Sequence, residues 1–345
     1  MHHYNKKLLG ILTIFTASIK FSFAQLPPAD PGYKLVFHDE FESTHPPYPV
    51  NDKLWARNYP WMPKSNFTDN VSWCFSGDTT AKYWDMAYRI RNQKDTTAIK
   101  VSNGTCKLLT DKRNYYGEIF ISPPCNPAKP GFTLNNKKCK GECVIKGNDS
   151  IPRCWTVDTV LFKYTSGMLF SKQKFRRGFF EIRFRLPAPP AEPYSHQGFG
   201  PNFWLWGNKP PKNWYGEIDI FEIIAFNNLK NDSNKYTSAV HYSDKQAKPY
   251  PKAYTEVLGN KLKNDTSWHK SAAWWTDEFV KFYLDDSLYY TVHGNEKIAV
   301  DKLEEMNLII DVNAPVSGRC NNFDEVYTKF PYVYEIDYVR VYQLQ

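Results

Sequence analysis

The sequence lacks any apolar run long enough to cross a membrane as a helix. Such a helix needs about 20 mostly apolar residues, and the first apolar run, Leu8 to Ile14, is far shorter. Helical periodicity is almost absent, and there is neither an internal repeat nor a low-complexity tail. These absences favour a fold built from strands, and no association with a membrane is expected.

Clustered charge is also lacking. The formal net charge is +8, and three of the 44 Lys and Arg residues lie in the first 24 residues, so +5 remains beyond them. The lysines are scattered, which argues against a nucleic-acid partner. A polyanionic substrate such as a sulfated polysaccharide remains open. Ordinary solubility charge explains the same balance more simply.

The first 24 residues have the features of a secretory signal peptide. Lys6 and Lys7 supply the positive start, Leu8 to Ile14 the apolar run, and Ser22-Phe23-Ala24 a small-residue cleavage site. We therefore expect cleavage near Ala24 and an extracellular or periplasmic location. Residues 25–345 are enough for one large domain, expected to be a monomer.

Cysteine is present but oddly distributed. Five of the seven cysteines lie between Cys106 and Cys154. In a secreted chain they predict disulfides, with at least one thiol left free or paired between chains. Residues 114–162, which also hold several prolines and lysines, read as a compact Cys-rich insertion within the domain. It could shape a binding cleft or simply stabilise the fold.

Many short alternating segments with turn signals predict an all-β fold of two packed sheets. Phe179 to Leu186 is a clear example, because Phe180, Ile182 and Phe184 would face the core while Arg183 faces outward. If that outer face is concave, Arg183 could touch a substrate. A solvated row is the plainer interpretation.

The stretch from Gly216 to Ile224 concentrates acid as no other segment does. Its apolar members are β-branched or aromatic, which indicates a strand. Glu217 and Asp219 then share one face, but strict alternation would turn Glu222 into the core. Because a buried, unpaired glutamate is costly, we expect a β-bulge near Phe221 that returns Glu222 to the acidic face.

That geometry suggests glycoside chemistry. The two glutamate Cα atoms would lie about 13 Å apart, and their side chains can lean toward Asp219 and leave a gap of about 5–6 Å. Retaining glycosidases use such a gap, whereas inverting enzymes need about 6.5–9.5 Å. Asp219, between the glutamates, would push their pKa values apart. The alternative is a solvated polar face on an edge strand.

This stretch resembles the bulged E-x-D-x-x-E signature of glycoside hydrolase family 16. Four further blocks agree with the family in its order, and the match spans almost all of the chain beyond residue 24. The blocks are His38 to Phe41, Ser166 to Lys172 with Gly178 to Arg183, Pro201 to Gly207, and Ile336 to Tyr342.

The resemblance implies a jelly-roll β-sandwich whose one sheet curves into an open concave cleft. By position in the motif, Glu217 would be the nucleophile, Glu222 the general acid and base, and Asp219 the residue that tunes Glu217. The implied activity is secreted, endo-acting, retaining hydrolysis of a β-linked polysaccharide. The first choice of substrate is β-1,3- or mixed-linked glucan.

The resemblance also suggests binding residues. Trp204 lies in a matching block, His241 stands where the family often has a cleft histidine, and Trp214 would replace a tryptophan that is missing before Glu217. No cofactor is required. The family often carries a structural calcium away from the cleft, with Asp337 as the matching candidate here.

Two departures near the cleft leave the sugar open. One is the missing tryptophan, and the other is Asp311-Val312-Asn313, which stands where family β-glucanases tend to have a Gly-Gly pair. A galactan such as agar, porphyran or carrageenan is therefore the alternative substrate. A transglycosylase and a non-catalytic sugar-binding sandwich are lesser alternatives.

Overall fold

The structure, a computed structural model, describes the following residues: 30, 32–46, 49–55, 70–71, 84–90, 98–125, 133–134, 137–138, 143–144, 153–187, 200–209, 214–225, 234–243, 252–256, 265–294, 300–313 and 330–345. The signal-peptide prediction, residues 1–24, lies outside them.

The described chain is almost entirely strand. In chain order the strands are β1 (Tyr33–Asp39), β2 (Asn70–Val71), β3 (Trp84–Ile90), β4 (Ile99–Ser102), β5 (Thr105–Cys125), β6 (Thr133–Leu134), β7 (Lys137–Lys138), β8 (Cys143–Val144), β9 (Arg153–Phe175), β10 (Gly178–Arg185), β11 (Gly200–Lys209), β12 (Trp214–Ala225), β13 (Asn234–Ser243), β14 (Lys252–Glu256), β15 (His269–Trp275), β16 (Phe279–Leu284), β17 (Ser287–His293), β18 (Met306–Asn313) and β19 (Tyr332–Leu344). The described helical structure is one 3-10 turn, Val300–Lys302. Within the described residues no helix has the length and hydrophobicity that a membrane crossing would need.

Apart from the two-stranded pair β6-β7, the strands form two sheets. The first sheet runs β14-β13-β12-β11-β18-β9-β3-β2, with β8 and the far half of β5 also on β9. The second runs β17-β16-β15-β10-β19. On the other side of β19, β1 pairs with one part of that strand and the first part of β5 pairs with another, and β4 pairs with β5. Described pairings are antiparallel except β3 with β9. The predicted two-sheet sandwich is confirmed.

The core fills the space between the sheets. Phe180, Ile182 and Phe184 of β10 are fully buried, as their alternation predicts. Phe184 stacks on Phe221 of β12, with ring centroids 4.7 Å apart, and Tyr334 of β19 meets Phe221 edge-on. Such aromatic contacts pack the second sheet against β12, the strand that carries the acids.

The predicted insertion at 114–162 is, where described, a continuation of two long strands. β5 and β9 pair from Tyr115 opposite Phe162 to Cys125 opposite Cys154. β8 lies on the other side of β9, with Cys143 also opposite Cys154. The expected disulfides there stay a prediction. Cys106, by contrast, is buried and free, as an odd cysteine count requires of at least one thiol in an unlinked chain.

Candidate active site

The bulge expected in the acidic strand is present in β12. Pairing of β12 with β13 is regular up to Asp219 opposite Ala239 and resumes at Glu222 opposite Thr237. Ile220 and Phe221 both enter the core within that interval. The extra residue returns Glu222 to the face that carries Glu217 and Asp219, because it resets the two-residue period of the strand.

Two hydroxyl groups of β13 support this bulge. Ser238 Oγ donates to the carbonyl oxygen of Ile220 at 2.7 Å, and Thr237 Oγ1 donates to the carbonyl oxygen of Glu222 at 3.3 Å. A bulge breaks the regular ladder and leaves backbone groups in need of partners. The side chains of β13 therefore supply the hydrogen bonds that let the bulge exist inside the sheet.

The strands beside β12 line the acids with aromatic and polar groups. In β11, Trp206 lies opposite Glu217, Trp204 opposite Asp219 and Asn202 opposite Glu222. Directly opposed residues of antiparallel strands share a face. Trp204 and Trp206 are both partly buried, so two indole rings border the acidic row.

His241 of β13 completes the row from the other side. It lies opposite Glu217 in the strand register, and its Nε2 forms a hydrogen bond of 2.9 Å with Oδ2 of Asp219. Asp219 is 1% exposed, whereas Glu217 and Glu222 keep partial exposure. The buried aspartate is thus fixed by a histidine, and the two glutamates flank it at the surface of the face.

The surroundings of Glu217 favour its protonated form. Burial raises the pKa of Glu217 well above its usual value, the neighbouring Asp219 charge raises it further, and His241 partly opposes them. Glu222 also adds a smaller raising effect on that pKa. Carboxylates this close share protons as a set, which is the arrangement that acid-base chemistry needs.

The reactive atoms of Glu217, Asp219 and His241 lie within 4.8 Å of one another, and nowhere else in the described chain do three His, Cys, Asp or Glu groups meet this way. Such spacing also occurs in metal sites. We interpret it as a proton-sharing cluster, because Asp219 already bonds to His241 and the chemistry of paired carboxylates needs no metal.

A second buried acid, Asp311, lies at the end of the row; the sequence analysis placed its segment near the cleft as a departure from the family but gave this acid no role. Asn202 lies between Glu222 of β12 and Asp311 of β18 in the register, and its Nδ2 donates to Asp311 Oδ1 at 2.7 Å. Burial raises the pKa of Asp311 to about 7, with Glu222 adding to the rise. A lone acid in the apolar run Ile309-Ile310-Asp311-Val312 was the available signal.

Two predicted residues are not brought to the acids. Arg183 and Asp337 lie on the second sheet, where Arg183 Nη1 donates to Asp337 Oδ2 at 2.5 Å and the guanidinium rests 4.9 Å from the Trp268 ring centroid. The outward face of β10 is the outer face of this sheet, so the suggested contact of Arg183 with substrate is corrected. Calcium at Asp337 stays a prediction, and an ion there would compete with Arg183.

Of the other predicted binding residues, the structure places two beside the acids and leaves the side chain of the third undescribed. Trp204 and His241 lie beside the acids, as described above. Trp214 begins β12 opposite Lys209, but its side chain lies outside the described part of the chain. Its substrate role therefore stays a prediction, while Trp206 joins the candidates as a residue that the sequence interpretation did not select.

The fold and the acidic row define a β-sandwich hydrolase with clustered carboxyl groups. The sequence profile described as glycosyl hydrolases family 16 matches residues 132–314. The chain belongs to this family, and it is a glycoside hydrolase. A search of curated proteins gave no match.

Solved structures share the fold at low identity. A structure from work on endo-acting O-glycanases, with which prominent members of the human gut microbiota initiate mucin breakdown, is 19% identical, with a TM-score of 0.60 and 92% of each chain covered. The LamA catalytic domain from Zobellia galactanivorans is 20% identical, with a TM-score of 0.53, 90% of this chain and 98% of that one covered. The laminarinase catalytic domain from Thermotoga maritima has 17% identity, a TM-score of 0.53 and the same coverage.

Proposed function

We propose that the protein is a secreted, endo-acting, retaining glycoside hydrolase that cleaves β-1,3- or mixed-linked glucan. The observation that carries the proposal is the bulge, which aligns Glu217, Asp219 and Glu222 on one face of β12. Two neighbours of the same fold, from Thermotoga maritima and Thermotoga petrophila, are described as laminarinases. The signal-like residues 1–24 support secretion.

In the first step, Glu217 attacks the anomeric carbon as a carboxylate. The glycosidic C–O bond breaks as Glu222 gives its proton to the leaving oxygen, and a glycosyl ester on Glu217 results. In the second step, water attacks the same carbon, Glu222 takes the proton, and Glu217 leaves as a carboxylate. Two displacements at one carbon retain its configuration.

Asp219 and His241 act on the first carboxylate rather than on the sugar. Asp219 raises the pKa of Glu217 through its charge and through a hydrogen bond, after the larger effect of burial. When Asp219 holds the shared proton, it donates to Glu217 and stabilises the ionised nucleophile. The 2.9 Å contact with His241 keeps Asp219 in place for that exchange.

Trp204 and Trp206 support binding of a sugar chain. They lie opposite Asp219 and Glu217 in β11, so their rings flank the position of the bond to be cleaved. Flat aromatic rings present apolar faces on which pyranose rings can stack. An open row with such rings at its side suits attack inside a polymer, which is the basis for proposing endo-action.

A mucin-type O-glycan is the second candidate. The neighbour connected with O-glycanases has a TM-score of 0.60, against 0.53 for the LamA catalytic domain and for the laminarinase from Thermotoga maritima. Asp311 also stands where family glucanases tend to have glycine, next to the acidic row. A sulfated galactan is the third, and its binding would fall as salt rises.

The test is a substrate panel of laminarin, lichenan, agarose, porphyran, carrageenan and mucin, with product sizes recorded. We expect intermediate-sized products from laminarin or lichenan, and proton NMR of early products should show the substrate's β configuration. Release of α products would contradict retention. Cleavage of mucin but of no other substrate in the panel would favour a mucin-type O-glycan as the substrate.

The matched variants are Glu217→Gln and Glu181→Gln. Loss of the nucleophile should lower kcat by at least about a thousandfold. Glu181 lies on the second sheet, is buried and accepts a hydrogen bond from Tyr338, and burial raises its pKa as it raises that of Glu217. Glu181→Gln should keep activity, so equal activity of the two variants would end the proposal.

A further inference from the structure

Ser238 of β13 is the residue that faces both bulge residues of β12, Ile220 and Phe221. Two residues against one is the arrangement that defines a β-bulge. The side chains of all three are fully buried. Ser238 Oγ donates to the carbonyl oxygen of Ile220 at 2.7 Å. The residue opposite the bulge therefore also supplies a hydrogen bond to it.

Ser238 is itself held by a side chain from the second sheet. Its Oγ forms a hydrogen bond with the hydroxyl group of Tyr289 in β17. A serine hydroxyl carries one proton, and the carbonyl oxygen of Ile220, which can only accept, receives it. The Tyr289 hydroxyl is therefore the donor in its contact with Ser238. The two hydrogen bonds run in one direction, from Tyr289 to Ser238 and from Ser238 to Ile220.

This direction fixes the rotation of the Ser238 hydroxyl. A hydroxyl hydrogen rotates toward whichever acceptor is near, and serine side chains readily bond to other backbone groups close by. With Tyr289 donating to Oγ, the hydroxyl keeps its own proton directed at the carbonyl oxygen of Ile220. Tyr289 thus acts on the bulge through Ser238.

The second bulge residue is held by ring packing. The ring of Phe221 stacks on Phe184 of β10 and on Tyr236 of β13, with centroids 4.7 and 5.4 Å apart. The Tyr236 hydroxyl shares a hydrogen bond of 2.8 Å with Ser271 Oγ of β15. Stacking therefore accounts for the Phe221 side chain, whereas the hydroxyl pair acts on the backbone at Ile220.

We propose that Tyr289, acting through Ser238, is a positioning residue that fixes the bulge and thereby orients Glu222 toward the bond to be cleaved. The inference rests on the proposed function, because it takes Glu222 as the general acid and base. Glu222 follows the bulge directly in the chain, so a change of backbone direction at Ile220 moves its side chain. A displacement of about 1 Å can lower a rate about a hundredfold.

The first test is the kinetics of Tyr289→Phe and Ser238→Ala on the polysaccharide of the panel that the protein cleaves fastest. Tyr289→Phe removes the donor and keeps the ring, and kcat should fall about tenfold. Ser238→Ala removes the bond to the Ile220 carbonyl itself, and kcat should fall about thirtyfold. KM should hardly change, because successive residues of a strand alternate and Ser238 lies on the core face of β13.

The matched control is Tyr334→Phe. Tyr334 is also fully buried and also packs on the bulge, edge-on to Phe221. Its hydroxyl has no hydrogen-bond partner among the described residues, so its loss should leave kcat unchanged. Equal falls in Tyr334→Phe and Tyr289→Phe would reflect a general sensitivity of the core and would overturn the proposal.

Leaving-group chemistry separates a misplaced general acid from a loss of folded protein. An aryl glycoside with a highly activated leaving group needs little help from a general acid. In Tyr289→Phe, kcat/KM should therefore fall about tenfold on the polysaccharide but less than about twofold on the aryl glycoside. A smaller folded fraction would lower both values equally, and that result would contradict a positioning role.

A double variant tests whether Tyr289 acts through Ser238. Two residues that act through one contact have effects that do not add. In a protein that already carries Ser238→Ala, the further change Tyr289→Phe should lower kcat less than about twofold. A further tenfold fall would overturn the route through Ser238. If Ser238→Ala does not fold, the aryl glycoside comparison in Tyr289→Phe decides the proposal alone.

The two levels can fail separately. If the unaltered protein cleaves no polysaccharide, or if Glu222→Gln remains fully active on it, the proposed function fails. If the protein is active, Glu222→Gln is not, and Tyr289→Phe loses no activity on the polysaccharide, the inference about Tyr289 fails alone.

Discussion

Glu335 and Glu40 on the side of the second sheet have cations as partners, whereas Glu217 on the first sheet lies among other acids. On the second sheet, Glu335 accepts from Arg185 and Thr105 and pairs with Lys107, and Glu40 takes two hydrogen bonds from Arg340. On the first sheet, Glu217 lies beside Asp219 and Glu222, and the described basic neighbour is His241. The same residue type therefore meets cations on one face and other acids on the other.

The pKa values of these acids shift in opposite directions because their neighbours differ. The hydrogen bond from Arg340 lowers the pKa of Glu40. Burial alone would raise that of Glu335, but bonds from Arg185, Thr105 and Lys107 lower it overall. Burial and Asp219 raise that of Glu217. The paired acids Glu40 and Glu335 stabilise the fold in their ionised form, whereas Glu217 of β12 lies where ionisation is difficult, which is typical of a catalytic site.

Apart from loss of the nucleophile, the largest expected effect comes from two His–Asp pairs, one on each sheet. His241 bonds to Asp219 at 2.9 Å on the first sheet, and His269 Nδ1 bonds to Asp285 at 3.0 Å on the second. His241→Asn should lower kcat by about a hundredfold, because Asp219 loses the contact that orients it. His269→Asn should lower stability but leave kcat of the folded protein unchanged. Equal losses of kcat in His241→Asn and His269→Asn would contradict a catalytic role that is specific to the pair on the first sheet.

A smaller effect is expected for the aromatic residues. Trp206 lies opposite Glu217, whereas Trp274 lies on the outer face of the second sheet and packs on Tyr33 and Phe279. Trp206→Ala should raise KM for the polysaccharide about tenfold. Trp274→Ala should leave KM unchanged. A KM rise in the second variant would locate substrate on the outer face instead.

The smallest effect is a pair of stability changes of opposite sign. The pKa of Glu217 in the folded state is raised, so its contribution to stability is present below the unfolded value and lost as pH rises through the folded one. Glu217→Gln should therefore stabilise the protein at pH 7 by about 1 kcal/mol. The difference should vanish below the ordinary glutamate pKa of 4.5.

Glu40 should behave in reverse. Its folded pKa is lowered, so its contribution is present above the unfolded value and lost as pH falls through the folded one. Glu40→Gln should destabilise the protein at pH 7 by up to about 1 kcal/mol and have no effect in strong acid. Thermal unfolding of both variants across pH would check the signs. If both substitutions changed the stability at pH 7 in the same direction, the comparison would be contradicted.

Much of the site could be predicted from the chain itself. The bulge in β12 was expected because an unpaired glutamate among Ile218, Ile220 and Phe221 would be costly. The structure confirms the interruption of the register there. The inward row of β10 was likewise predicted by its alternation. Both arguments depend on neighbours within one strand, and such short-range patterns can be recognised in the sequence alone.

Other features needed the pairing of distant strands. Alternation shows that Arg183 faces away from Phe184, but it cannot say which sheet face is lined by the acids. Asp311 lies 89 positions beyond Glu222 in the numbering, and only the order β12-β11-β18 brings it to the same row. No local pattern contains that neighbour.

By itself, the sequence determined the strands, their buried faces and the acid-rich stretch, since these depend on side-chain period and on the cost of burying charge. The tertiary structure alone decided the surroundings of each acid. It paired Glu40 and Glu335 with cations on one sheet and set Glu217 among carboxyls on the other. The reason is physical: strand order determines which charges lie within a few ångströms, and electrostatic interaction falls with distance.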